Sequence, residues 1–190
     1  MGGRSSAIEE ECQRRADRIR TDLQLRINDF RKHQQEEFSS IPSDKKQIIK
    51  EATATELTQL MDSGKITSYE ATLTFIERTA TIGVRMNYVI EEMFEEAITR
   101  AKECDQIRKE NPGKKCWRFG ESKEDTLPPF FGVPISINDN ILYPGKISYI
   151  GHVHPINPIP EQPSELILLI RKMGLIPFVK SSSPQSNKTL

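Results

Sequence analysis

Apolar residues recur at Ile8, Cys12, Ala16, Ile19, Leu23, Ile27 and Phe30, three or four apart in a highly charged stretch. This spacing predicts one long helix over about Ala7 to Phe38 with a single apolar stripe. A strict heptad seam would also have to take in Glu9 and Arg26, which weakens a coiled-coil reading. The stripe must be covered by something. Packing on the rest of the chain is the reading preferred here; a partner helix or a membrane surface is the sharper alternative.

Ser39-Ser40-Ile41-Pro42-Ser43 breaks that pattern. Thr53-Ala54-Thr55-Glu56 is a capping box that starts the next helix, with Leu57, Leu60 and Met61 inward and Asp62-Ser63-Gly64 as its stop. Thr67-Ser68-Tyr69-Glu70 is a second capping box, followed by Ala71, Phe75, Ile76 and Thr79 at helical spacing. A third helix is expected over about Tyr88 to Glu110, burying Met93, Ala97, Ala101 and Cys104, with Asn111-Pro112-Gly113 ending it. A polar loop over 114–126 carries the single tryptophan, Trp117. From Phe130 the period changes to that of a strand: Val133, Ile135 and Ile137 alternate with Pro134 and Ser136, and the proline suits an edge or a strand start. Helical spacing returns at Leu166, Leu169, Ile170 and Met173, closed by Gly174. Leu175-Ile176-Pro177-Phe178-Val179 is a second apolar strand. Strand, helix, strand is a βαβ unit, which makes the two strands parallel with a right-handed crossover. Parallel strands are normally covered on both faces, so two strands read as part of a larger sheet.

Composition sharpens this division. All but eight of the charged side chains precede Pro129, and all but two of the 12 prolines lie at Pro128 or later. Lys+Arg is 27 and Asp+Glu is 27, so the net charge is zero and bulk charge gives no reason to expect a nucleic-acid partner. No apolar run approaches the ~20 residues of a membrane span, and the first residues lack a signal-peptide core. Three cysteines, Cys12, Cys104 and Cys116, are odd in number and form no CxxC pair. They read as reduced thiols in an intracellular setting, cytoplasmic or at a membrane periphery, with neither a disulfide framework nor zinc.

The strand at Phe131-Gly132-Val133-Pro134-Ile135-Ser136-Ile137-Asn138-Asp139-Asn140 resembles the first active-site strand of the amidase signature family, where G-[VI]-P-[VI]-S-[VL]-K-[DE] is usual. Gly145, Ser148 and Gly151 resemble the loop that follows. Met173-Gly174-Leu175-Ile176-Pro177-Phe178-Val179-Lys180 and Ser183-Pro184-Gln185-Ser186 are similar to the next strand and loop, in their fatty acid amide hydrolase form. Upstream, Ala54-Thr55-Glu56-Leu57, Ser63-Gly64-Lys65-Ile66-Thr67-Ser68 and the Ala97–Cys104 helix resemble the family's helical entry. The likeness runs from about Ala52 to Thr189. It implies an α/β chain with an incomplete amidase-signature fold, residues 51–190, preceded by a helical extension, residues 1–50.

The resemblance further implies serine-type hydrolysis of a small-molecule amide without cofactor or metal. In that family a strand lysine acts as general base through a bridging serine, and a second serine in a Gly/Ser-rich loop is the nucleophile. Such a lysine must be unprotonated, which burial can achieve. Here the lysine position is Asn138, and a carboxamide has no usable basicity. Loss of a general base typically costs ~10²–10⁴-fold in rate. Lys180 matches a different lysine-bearing position and does not replace it. No Gly/Ser-rich segment is present to supply the nucleophile and bridging serine. The expectation is a truncated amidase-type chain, inactive alone, with Ser183, Gln185 and Ser186 on the substrate side. The alternative is a non-catalytic protein that binds a membrane or a partner through its first helix, in one form a parallel homodimer cross-linked through Cys12.

Smaller signals remain. Met1-Gly2-Gly3-Arg4-Ser5-Ser6 fits the pattern for acylation at Gly2, against a plain polar terminus. His152-x-His154 has no third ligand nearby and reads as loop histidines. Asp139 suits a turn or an orienting role at the strand end. Ser136 faces away from Ile135 and Ile137, as a site hydroxyl or a satisfied core one. Arg14-Arg15 and Arg18-Ile19-Arg20 are interleaved with Asp17 and Asp22, as on a solvated helix face.

Overall fold

The computed structural model describes residues 2–120, 122–155 and 157–188. Its long first element is two helices, α1 (Gly2–His33) and α2 (Gln35–Ser40), with a turn at Gln34 instead of one continuous rod. The apolar stripe is used unevenly. Leu23 and Ile27 are buried, and Phe30 packs on Phe94 with ring centroids 5.1 Å apart. Ile8 keeps 65% of its surface exposed. Burying Leu23 and Ile27 is worth about 1.5–3 kcal/mol each, which suffices to anchor the second half of α1 on the chain itself. Met1, which begins the acylation pattern, lies outside the described residues, and Gly2 opens α1.

Helix α3 (Ser43–Glu51) follows the Pro42 break. It escaped the sequence reading because Ile49 is its one buried residue. Both expected capping boxes form. Thr53 starts α4 (Ala54–Asp62) and Thr67 starts α5 (Ser68–Arg78), each with its glutamate reaching back to the cap. The start of α5 is tied down again from outside: Asp105 accepts from the Ser68 and Tyr69 amides at 2.7 and 2.9 Å. One turn of π-helix, Thr79–Gly83, extends α5.

The expected helix over Tyr88 to Glu110 is shorter, α6 (Phe94–Glu110), because Val89–Glu92 forms strand β1. Its buried–half-buried alternation has period two, and four residues are too few to register against the helical pattern that follows. Strands β2 (Pro134–Asn138) and β3 (Ile176–Ser181) are joined through α7 (Glu165–Lys172) and pair in parallel, as the βαβ pattern requires. β1 adds antiparallel to the other side of β3, giving the order β1-β3-β2.

β3 is thus central and buried from Ile176 through Lys180. Phe178, Val179 and Ile176 join the main core with α5, α6 and the second half of α1. Ile137 of β2 packs with Met93, Tyr143, Ile167 and Ile170. Gly174 has φ +85° between α7 and β3, and a Cβ there would come within 2.6 Å of Phe131 Cα, so only glycine lets that turn close. Arg108 closes the polar loop: it donates to Asp62 Oδ1 at 2.5 Å and to the Phe131 carbonyl at 2.9 Å.

Candidate functional site

β2 and β3 are parallel, so their carboxyl ends lie side by side, with Asn138 opposite Ser181 in the register. Open α/β sheets gather ligand sites at this edge. The loops leaving the two strands fold over it. The Asp139 amide donates to the Ser181 carbonyl at 2.9 Å. Gly151 lies so close to the Pro184–Gln185 backbone that a Cβ would come within 2.6 Å of the Gln185 nitrogen.

Asn138 is exposed at the end of β2. Its Oδ1 accepts from the Asn140 amide at 3.1 Å and from the Ser183 hydroxyl. The structure therefore brings together two of the residues singled out in the sequence, and both lone pairs of the carboxamide oxygen are engaged. Asn138 holds Ser183 in place and has no means of taking its proton. Ser186 sits with φ +54°, its amide bonded to the Ile150 carbonyl at 3.0 Å and its hydroxyl 2.9 Å from His152 Nε2. Gln185 is exposed beside it. His152 is thus spent on a loop-to-loop contact, and among the described residues no group of three or more His, Cys, Asp or Glu is placed to hold a metal. Ser136 is exposed on β2 and lines a shallow depression with Arg78, Thr79 and Tyr88.

Directly beneath lies a buried ionic cluster. Lys180 and Asp139 are both fully buried, with Nζ 3.3 Å from Asp139 Oδ1. The ammonium also donates to the Ser148 hydroxyl at 2.7 Å and to the Ile147 carbonyl at 2.9 Å. Two of its protons are thus hydrogen-bonded, and its charge is paired with Asp139, whose Oδ1 accepts no hydrogen bond among the described residues. The other carboxylate oxygen of Asp139 accepts from the Tyr149 and Ile150 amides at 2.9 and 2.6 Å. Burial pulls the Lys180 pKa below the usual lysine value, while Asp139 and Glu91 act in the opposite sense. A serine 2.7 Å from a lysine has the composition of a nucleophile–base pair. Here both are sealed from the surface, Ser148 being 2% exposed, and the lysine is donating. The cluster fixes the loop over 147–150. The sequence did contain a signal for it: Lys180 ends an apolar run and Asp139 follows one, in a third of the chain otherwise nearly free of charge.

On the other edge of β3, Glu91 lies opposite Lys180 in the register. Burial pushes its carboxyl above the usual carboxylate range, opposed by Arg26 and Lys146. Arg26 Nη2 and Lys146 Nζ each lie 3.8 Å from Glu91, and Arg26 also pairs with Glu92 at 3.0 Å. This ion-pair set ties α1 to β1.

A parallel strand pair crossed by one helix, with polar side chains gathered at the carboxyl ends, defines an α/β protein of the kind that places its chemistry on strand-end loops. The family model described as Amidase matches residues 70–189, and the chain belongs to that family. Acetamidase from Emericella nidulans is 30% identical over 148 residues, 78% of this chain and 25% of its own. Acetamidase from Aspergillus oryzae is 28% identical over 150 residues, 79% and 25% of the two chains. Among solved structures, a fatty acid amide hydrolase superposes with TM-score 0.67 at 25% identity, over 95% of this chain and 33% of that one. The helices and three-stranded sheet match part of the amidase-signature fold. The chain spans about a quarter of the length of the curated relatives it matches.

Proposed function

We propose that this chain carries the strand-end framework of a serine-type amidase without a competent base, and that it does not hydrolyse carboxamides by itself. The observation that carries the reading is the state of the two nitrogen-bearing residues at the strand ends. Asn138, which the resemblance sets at the family's lysine position, is engaged as an acceptor from Ser183. Lys180, the nearby amine, is buried, ion-paired with Asp139, and donates to the Ser148 hydroxyl and the Ile147 carbonyl. Neither can deprotonate a serine. The substrate class of the amidase-type reading is a small carboxamide, met by the loop of Ser183, Gln185 and Ser186. Peripheral membrane contact or pairing of two chains through α1 is the weaker reading, because Leu23, Ile27 and Phe30 are already spent on the core.

The test is ammonia release from acetamide and from a long-chain primary amide by the purified chain. The expected result is no release above buffer, and none on Asn138→Lys alone, since a lysine beside Ser183 still lacks the Gly/Ser-rich segment that supplies the bridging serine and nucleophile in the amidase-type reading. Turnover that disappears in the Ser183→Ala chain would overturn the proposal.

A further inference from the structure

A separate cavity of about 160 Å³ lies between α1 and the loop that covers the strand ends. Its apolar wall is formed by Ala16, Ile19 and Leu23 of α1, by Val84 and Val89, and by Val153. A space of ~150 Å³ lined by apolar side chains can take up a benzene ring, so this half-open cleft admits a single ring or a short alkyl chain. It is too small for a helix or a strand.

The charged part of the wall is one-sided, while Gln24 and Asn87 add neutral carboxamides. Arg20 lines the cavity and, among the described residues, no acidic one does. Tyr149 also lines it, and among the described residues its hydroxyl has no hydrogen-bond partner. Burial and the Glu91 charge raise the Tyr149 pKa, which keeps the phenol a proton donor. Two donors, one of them cationic, thus stand at the margin of an apolar chamber. Arg20 has a competitor on its own helix, Asp17 at 3.4 Å, but both side chains are about half exposed and such a pair is weak. His152 lines the cavity too, with Nε2 engaged by Ser186. The α1 side of the wall lies outside the residues matched by the family model.

We propose that this cavity binds a small carboxylic acid, its apolar body between α1 and Val153 and its carboxylate on Arg20 and the Tyr149 hydroxyl. The acid would be of single-ring or short-chain size. The tyrosine amide is held by Asp139 and the Ser186 hydroxyl by His152, so an occupied cavity braces the loop beside Asn138. The site does not depend on the amidase reading, since binding and turnover are measured separately.

The experiment is calorimetric titration of the full chain with hydrocinnamate and with its alcohol and amine counterparts. Hydrocinnamate is expected to bind saturably at one site, about tenfold tighter than the alcohol, with the amine weakest. Arg20→Gln is expected to bring the acid down to the affinity of the alcohol and leave the alcohol unchanged. Ala16→Phe fills the cavity from the α1 side and is expected to abolish binding of both. Val153→Phe fills it from the loop side, and answers the same question if the first variant melts early. Absence of saturable binding would overturn the proposal, as would equal affinity for acid, alcohol and amine. Binding that persists in folded Ala16→Phe and Val153→Phe chains would place the ligand elsewhere and also overturn it.

Discussion

Lys180 is the residue on which the strand-end loops depend. An ammonium and a carboxylate out of contact with water cost several kcal/mol each to desolvate, and the fold recovers this through their pairing and the hydrogen bonds around them. Removing one partner strands the other. Lys180→Met is expected to destabilise the chain by about 3–5 kcal/mol in urea denaturation. Adding Asp139→Asn should recover part of that loss, because an amide oxygen can still accept from the Tyr149 and Ile150 amides without carrying a buried charge. If the two losses simply add, the ion pair is not what couples them. Lys180 and Asp139 were both visible in the sequence as charges in an apolar neighbourhood. Their pairing was not, since it needs the carboxyl ends of two strands brought together across forty residues.

At the scale of elements, the link between α1 and β1 has a titratable centre. Glu91 faces Arg26 from α1, Lys146 from the loop, and Lys180 and Glu92 from the sheet. Its folded pKa is raised above the unfolded carboxylate value of ~4.3. Between those two values the folded chain binds the proton more readily than the unfolded one. The contribution of Glu91 is therefore fully present below about pH 4.3 and is lost as pH rises through its folded pKa. Compared with the parent chain, Glu91→Gln should remove that falling slope. Urea midpoints measured across the acid range give the difference curve, and a curve without slope would show that Glu91 titrates alike in both states. The same scale explains which elements were legible. The helices at Thr53 and Thr67 carry their start signals in four consecutive residues, so they were read correctly. β1 lacks such a signal, and its identity comes from the open side of β3.

Over the whole molecule, the N-terminal helix divides into an anchored and an unanchored part. Leu23, Ile27 and Phe30 are set in the main core, whereas Ile8 and the charged residues around it are exposed. Amides over residues 6–15 are expected to exchange with solvent at least about tenfold faster than those over residues 23–30, as measured by hydrogen exchange and mass spectrometry. Uniform protection along α1 would mean that something covers its first half, reviving a partner or membrane role for it. No helix among the described residues is long and apolar enough to cross a membrane.

The sequence by itself determined the capping boxes, the parallel βαβ unit, the glycine turn at Gly174 and the likeness to amidases. Each is written in local spacing or in a short run of residue types. It also set Asn138 at the end of an apolar strand, a matter of spacing and identity alone. Only the tertiary structure decided the break of the first helix at Gln34, the conversion of 89–92 to a strand, the burial of Lys180 against Asp139 and Ser148, and the cavity behind Tyr149. These depend on which surfaces meet across long stretches of chain, and burial, not local propensity, sets their energy.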